Sequence, residues 1–201
     1  MELQAIQIIN TGVANIRSLQ AAFTRLGRPW QLTVDPNMIG DADTVVLPGV
    51  GTFNAAIEAI DQKNLRQAII DRIGADKRTL AICLGLQVLC GSSDECIEAK
   101  GLGILPNRVT RFSDRVTVPQ LGWNRVYSDS SSAFEPGEAY FANSFRLADE
   151  PEGWNFAKTN YDGEFYSSFW RSKVLACQFH PELSGAWGQN LLKNWLGDSL
   201  C

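Results

Sequence analysis

An α/β fold with a mostly parallel sheet flanked by helices is predicted by two features of the first half of the chain. Short apolar runs of strand length alternate there with longer stretches whose apolar residues recur every three or four positions, and glycines follow several of the runs. A third feature, a change after about Gly101 to closely spaced β-like segments, predicts additional antiparallel strands in the C-terminal half.

Ala5 to Ile9 is the first expected strand. Asn15 to Leu26 follows as a helix, because Ile16, Leu19, Ala22, Phe23 and Leu26 fall on one face and Gly27 supplies a C-terminal stop. Trp30 to Val34 and Thr44 to Leu47 are two more strands, the second running into Pro48-Gly49-Val50-Gly51. Helices are expected from about Phe53 to Ile60 and Leu65 to Ile73. Thr79 to Cys83 is a buried strand that enters Leu84-Gly85-Leu86-Gln87. The β-rich half comprises Val109 to Phe112, Val116 to Val118, Trp123 to Val126, Ala139 to Phe145, Asn155 to Thr159, Glu164 to Trp170 and Val174 to Phe179. A last helix lies near Gln189 to Leu196. With no internal repeat, no low-complexity tract beyond Ser130 to Ser132 and no long linker, residues 1–201 are expected to form one domain.

Bulk properties narrow the function. A formal net charge of −4 and a pI near 5.1 offer no basic face for nucleic acid or for an anionic membrane. The start Met1-Glu2-Leu3-Gln4 lacks a signal-peptide pattern, and no apolar run approaches spanning length, so a cytoplasmic chain is expected. Cys83, Cys90, Cys96, Cys177 and Cys201 make no CxxC pair, and His180 is the sole histidine. Neither a metal nor a cofactor is expected, and the thiols should be reduced.

Three elements carry chemistry. Cys83 ends an apolar strand and is followed by Leu84 and Gly85, the pattern of a sharp strand-to-helix turn that lifts a nucleophile out of the sheet. The following helix N-terminus would favour its thiolate. Taken alone, a strand-end cysteine is more often a core residue. His180 follows another strand inside His180-Pro181-Glu182, where Pro181 holds His180 extended and Glu182 is near enough to orient its ring. A lone histidine is also more often structural, yet thiol, imidazole and carboxylate together are the nucleophile, proton carrier and orienter of acyl transfer. Pro48-Gly49-Val50-Gly51 could be only a glycine-rich turn. It could equally let peptide N–H groups approach a developing oxyanion.

In order and approximate spacing these elements resemble the class I, or triad, glutamine amidotransferases, through Pro48-Gly49-Val50-Gly51, Cys83-Leu84-Gly85-Leu86-Gln87 and His180-Pro181-Glu182. Within them the chain is most similar to the glutaminase subunits of imidazole glycerol phosphate synthase, on Thr52-Phe53, Gly101-Leu102-Gly103-Ile104, Val109-Thr110-Arg111-Phe112 and Gly122-Trp123-Asn124. The resemblance implies a flavodoxin-like sheet and a triad of Cys83, His180 and Glu182. It further implies oxyanion donors at Val50, Gly51 and Leu84, and glutamine contacts at Gly49, Gly51, Gln87, Glu95, Ser144 and Phe145. It implies no cofactor. The implied partner is a cyclase (β/α)8-barrel synthase subunit in a heterodimer, faced by Thr11, Asn15 and Trp123, with little glutaminase activity before the partner binds.

The chain departs from the usual family pattern at Asn10 to Asn15, Gln120, Asn143 and Leu183. Other readings stay open at this point. One is a paralogous glutaminase serving a different synthase, such as one that amidates a nucleotide-sugar. Others are a non-catalytic regulatory subunit and a stand-alone cysteine hydrolase.

Overall fold

The computed structural model describes residues 3–12, 16–128 and 135–197. The chain runs through β1 (Ile6–Ile9), α1 (Ile16–Arg25), β2 (Trp30–Thr33), α2 (Pro36–Asp41), β3 (Val45–Leu47), α3 (Phe53–Gln62), α4 (Arg66–Gly74) and β4 (Thr79–Ile82). It continues through α5 (Leu84–Leu89), β5 (Cys90–Ser93), β6 (Leu105–Arg111), β7 (Gln120–Val126), β8 (Gly137–Asn143) and β9 (Phe145–Leu147). It ends with β10 (Asn155–Asn160), β11 (Glu164–Arg171), β12 (Val174–Cys177) and α6 (Gly185–Leu196).

Strands β2, β1, β3, β4 and β12 lie side by side and parallel, in that order. Counted along the chain this is the flavodoxin-like order 2-1-3-4-5. Beyond β12 the sheet turns antiparallel through β11 and β9 to β6, with β5 at the far end and β10 paired to β11. Strands β7 and β8 make a separate antiparallel ribbon.

Side-chain alternation explains why helices cover both faces. Ile6, Ile8, Val46, Leu80, Ile82, Leu175 and Cys177 pack with Leu19, Ala22 and Phe23 of α1 and Leu191, Leu192 and Trp195 of α6. Their neighbours in the strands, among them Ile9, Val45, Leu47, Ala81, Val174 and Ala176, pack instead with Ile39, Phe53, Ile57, Ile69 and Ile73 of α2, α3 and α4. Burying the strands on both sides favours the short, mostly apolar runs seen in the sequence. No helix among the described residues is long and apolar enough to cross a membrane.

The structure departs from the sequence reading in four places. Val116 to Val118 is no strand: Val116 and Val118 anchor a loop by packing on the core, and the Thr117 carbonyl accepts from the Tyr161 hydroxyl at 2.6 Å instead of from a ladder. Ala139 to Phe145 is no single strand. It breaks at Ser144, so that β8 pairs with β7 while β9 joins the main sheet. Helix α2 escaped the periodicity because it is six residues long and contains Gly40. Its signal is Asp35-Pro36, where Asp35 caps the helix by accepting from Asn37 N at 2.9 Å and proline occupies the first turn. Strand β5 was hidden because its polar Gly91-Ser92-Ser93 pairs at the end of the sheet, next to β6. The Ser130 to Ser132 tract lies outside the described residues.

Two glycines bring the β3 and β4 loops into contact. A Cβ on Gly85 would lie 2.1 Å from the Leu47 carbonyl oxygen, and one on Gly49 would lie 2.7 Å from Gly85 N. The first clash is with backbone and cannot be relieved by a rotamer change. Gly85→Ala is therefore expected to destabilise the chain by about 3 kcal/mol, measured by urea denaturation; an unchanged midpoint would show that the two loops separate easily.

Candidate active site

The site forms where strands β3, β4 and β12 end side by side, the position at which open parallel sheets expose their carboxyl ends to ligands. Cys83 follows β4 directly and has φ 54° and ψ −111°, a conformation rarely adopted by a residue with a side chain. Such a backbone costs about 1–3 kcal/mol and persists only where its surroundings hold it. Here Cys83 N donates to the Cys177 carbonyl at 2.7 Å, and α5 starts at Leu84 immediately beyond. Leu84 opens a helix, so its N–H has no partner one turn earlier.

His180 stands beyond β12. Its Nδ1 lies 2.9 Å from Glu182 Oε1, inside the 3-10 turn Pro181–Leu183, and both side chains are buried. The His180 backbone is held at two points. His180 N donates to the Tyr140 carbonyl at 2.9 Å, and Ser184 Oγ donates to the His180 carbonyl at 2.6 Å while accepting from Tyr140 N at 3.0 Å. The imidazole shares the same cavity wall with Cys83. Burial pulls its proton affinity down, but the attraction of Cys83 and of the hydrogen-bonded Glu182 outweighs burial and raises its pKa to about 10. With Nδ1 committed to Glu182, Nε2 is the nitrogen left to exchange a proton with sulfur.

Val50, Gly51, Leu84, Gln87, Glu95, Ser144 and Phe145 join Cys83 and His180 around a cavity of about 290 Å³, which is room for a small molecule. Gln87 Nε2 donates to the Phe145 carbonyl at 3.3 Å, and Glu95 Oε2 accepts from Phe53 N at 2.7 Å. Gly49 lies beneath the site instead, buried against Leu84 and Gly85. The expected partner-facing residues divide. Trp123 is 57% exposed on the outer face of β7, beside Leu121 at 69% and edge-on to Tyr140 at 6.2 Å. Thr11 is buried at the end of β1, in a turn where Gly12 N donates to Asn10 Oδ1, so its side chain does not form the rim. Asn15 lies outside the described residues.

The remaining described cysteines are free. Burial pushes the Cys90 thiol up to about 12 and the Cys177 thiol still higher, so both are poor nucleophiles beside Cys83. Sequence reasoning missed Ala142, Tyr140, Ser184 and Gln178. For Gln178 a signal existed: in an extended segment, residues two apart point the same way, which places Gln178 on the side of His180.

Residues 7–198 match the family Glutamine amidotransferase class-I, and the chain belongs to that family. Within it, the chain belongs with the HisH subunits of imidazole glycerol phosphate synthase. The subunit from Moorella thermoacetica is 37% identical over 198 residues, covering 96% of this chain and 94% of that protein. The one from Syntrophotalea carbinolica is 34% identical, covering 94% and 98%. The chloroplastic hisHF protein of Arabidopsis thaliana is 37% identical over 97% of this chain, which spans only 34% of that protein's length. Among solved structures, a glutamine amidotransferase superposes with a TM-score of 0.78 at 17% identity, covering 98% of this chain and 99% of that one. PurLQS from Thermotoga maritima gives 0.75 at 16%, covering 98% and 99%. At such identities the likeness concerns the fold.

Proposed function

We propose that the chain, as one amidotransferase domain in the cytoplasm, hydrolyses glutamine for histidine biosynthesis and delivers the ammonia to a cyclase (β/α)8-barrel subunit in a heterodimer. The observation that carries this reading is the Cys83, His180 and Glu182 constellation at the mouth of a cavity lined by Gln87 and Glu95. The Cys83 thiolate attacks the carboxamide carbon of glutamine, and the carbonyl oxygen takes up negative charge near the N–H groups of Val50, Gly51 and Leu84. His180 Nε2 gives its proton to the departing nitrogen, which leaves as ammonia, and Cys83 keeps the glutamyl group as a thioester. Water then attacks the thioester, His180 takes its proton, and glutamate departs as the Cys83 sulfur is released. Phe53 N anchors one oxygen of Glu95, leaving the other to accept from the substrate ammonium. Gly51, Gln87, Ser144 and Phe145 border the rest of glutamine, with Gly49 shaping the loop from below.

The relatives' names support the partner assignment. The hisHF name of the longer Arabidopsis protein fits a glutaminase joined to a cyclase. On the barrel, ammonia would yield imidazole glycerol phosphate and aminoimidazole carboxamide ribotide. Trp123 and Leu121, two apart on β7, are exposed apolar side chains close to the catalytic loop, since Tyr140 touches Trp123 and its carbonyl accepts from His180 N.

The test is glutamate release by the chain alone and with a histidine-pathway cyclase barrel carrying its ribulosyl-phosphate ligand. Strong stimulation by the barrel is expected. Turnover that ignores the barrel would point to another synthase, and no turnover by folded protein would point to a non-catalytic subunit. Trp123→Ala is expected to weaken barrel binding about tenfold or more while sparing the unstimulated rate.

A further inference from the structure

We infer that Gln178 is a positioning residue for the reactive sulfur: its side-chain amide donates to Cys83 Sγ and ties the nucleophile to the glutamine-contacting side chain of Gln87. Gln178 is fully buried just beyond β12, and its Nε2 lies 3.7 Å from Cys83 Sγ. At that length the contact is a weak hydrogen bond to a thiol, and it strengthens when the acceptor is a thiolate.

The direction of the amide follows from its neighbours. The Phe145 carbonyl can only accept, and it faces Gln87 Nε2 at 3.3 Å and Asn143 Nδ2 at 2.9 Å. This orients Gln87, whose Nε2 also donates to Gln178 Oε1 at 2.9 Å. With its oxygen so engaged, Gln178 must turn Nε2 toward sulfur. The sulfur thus borders a cavity shared with the His180 imidazole and has an amide donor beside it, in a buried setting where each donor to the anion counts for more than it would in water. A fully buried glutamine needs both ends of its amide satisfied, and this arrangement engages both.

The consequence for turnover rests on the glutaminase reading, but the readout of this inference does not use glutamine. Alkylation of Cys83 by iodoacetamide, followed by mass spectrometry of its peptide across the range where thiols titrate, reports the midpoint for forming the thiolate. In Gln178→Met, which keeps the length and removes the donor, that midpoint is expected to rise by about one pH unit. If Gln178→Met does not fold, the isosteric Gln178→Glu, which places a carboxylate against the sulfur, should raise it as well. A folded variant with a lowered denaturation midpoint but an unmoved alkylation midpoint would overturn the assignment and leave Gln178 a packing residue. Wild-type protein that failed to hydrolyse glutamine even with the cyclase barrel and its ribulosyl-phosphate ligand, with the shift still present in the variant, would overturn the glutaminase reading and uphold this one. Hydrolysis without the shift would do the reverse.

Discussion

Cys83→Ser is expected to lose glutamine hydrolysis by about 10³-fold or more while the barrel complex still makes product from added ammonia. The argument is local. Cys83 alone among the described cysteines borders the cavity, on a backbone with φ 54° that turns its side chain toward His180. A serine hydroxyl keeps the shape, so folding and partner binding should persist, but it is a far weaker nucleophile at neutral pH because so little of it ionises. Glutamate release and ammonia-dependent synthesis, measured side by side on the same complex, check the prediction. Residual hydrolysis near the wild-type rate would mean that another group attacks the carboxamide.

His180→Ala is expected to cost hydrolysis a similar factor and also to flatten the dependence of stability on pH. The folded chain holds the imidazole proton up to about pH 10, against about 6.5 for the free side chain, through the attraction of Cys83 and the hydrogen bond to Glu182. A group whose pKa is raised on folding contributes stability in full below its unfolded pKa and loses that contribution as pH rises through its folded pKa. The wild-type chain should therefore weaken across the interval from 6.5 to about 10 by more than the variant does. Urea denaturation of both proteins at several pH values within that interval measures the difference. Parallel curves would show that the histidine proton is not held more tightly in the folded state.

Much of the architecture could be read from the residues because burial on both faces of a parallel sheet favours unbroken apolar runs. Residues 45–47 and 80–82 are such runs, and Ile6 to Ile9 is broken only by the buried Gln7. The chemically capable residues were legible too, since Cys83 before Leu84-Gly85 and His180 before Pro181-Glu182 each carry a local backbone requirement: an elbow in one case, an extended residue before proline in the other. The segments that misled were those whose structure depends on distant partners. Val116 and Val118 alternate like a strand and only pin a loop, and Ala139 to Phe145 reads as one strand although Ser144 divides it between two sheets.

What the sequence determined by itself was therefore the set of strands around a parallel core, the elbow and the identity of the acyl-transfer groups, because these follow from periodicity and local backbone chemistry. Tertiary structure alone decided that strand order brings residues 83 and 180 together, that Gly49 lies under the site and Thr11 inside the chain, and that Gln178 reaches the sulfur. The meeting of residues 83, 178 and 180 depends on β12 pairing beside β4 across about half the chain, and a contact between residues 95 positions apart leaves no periodic trace in either segment.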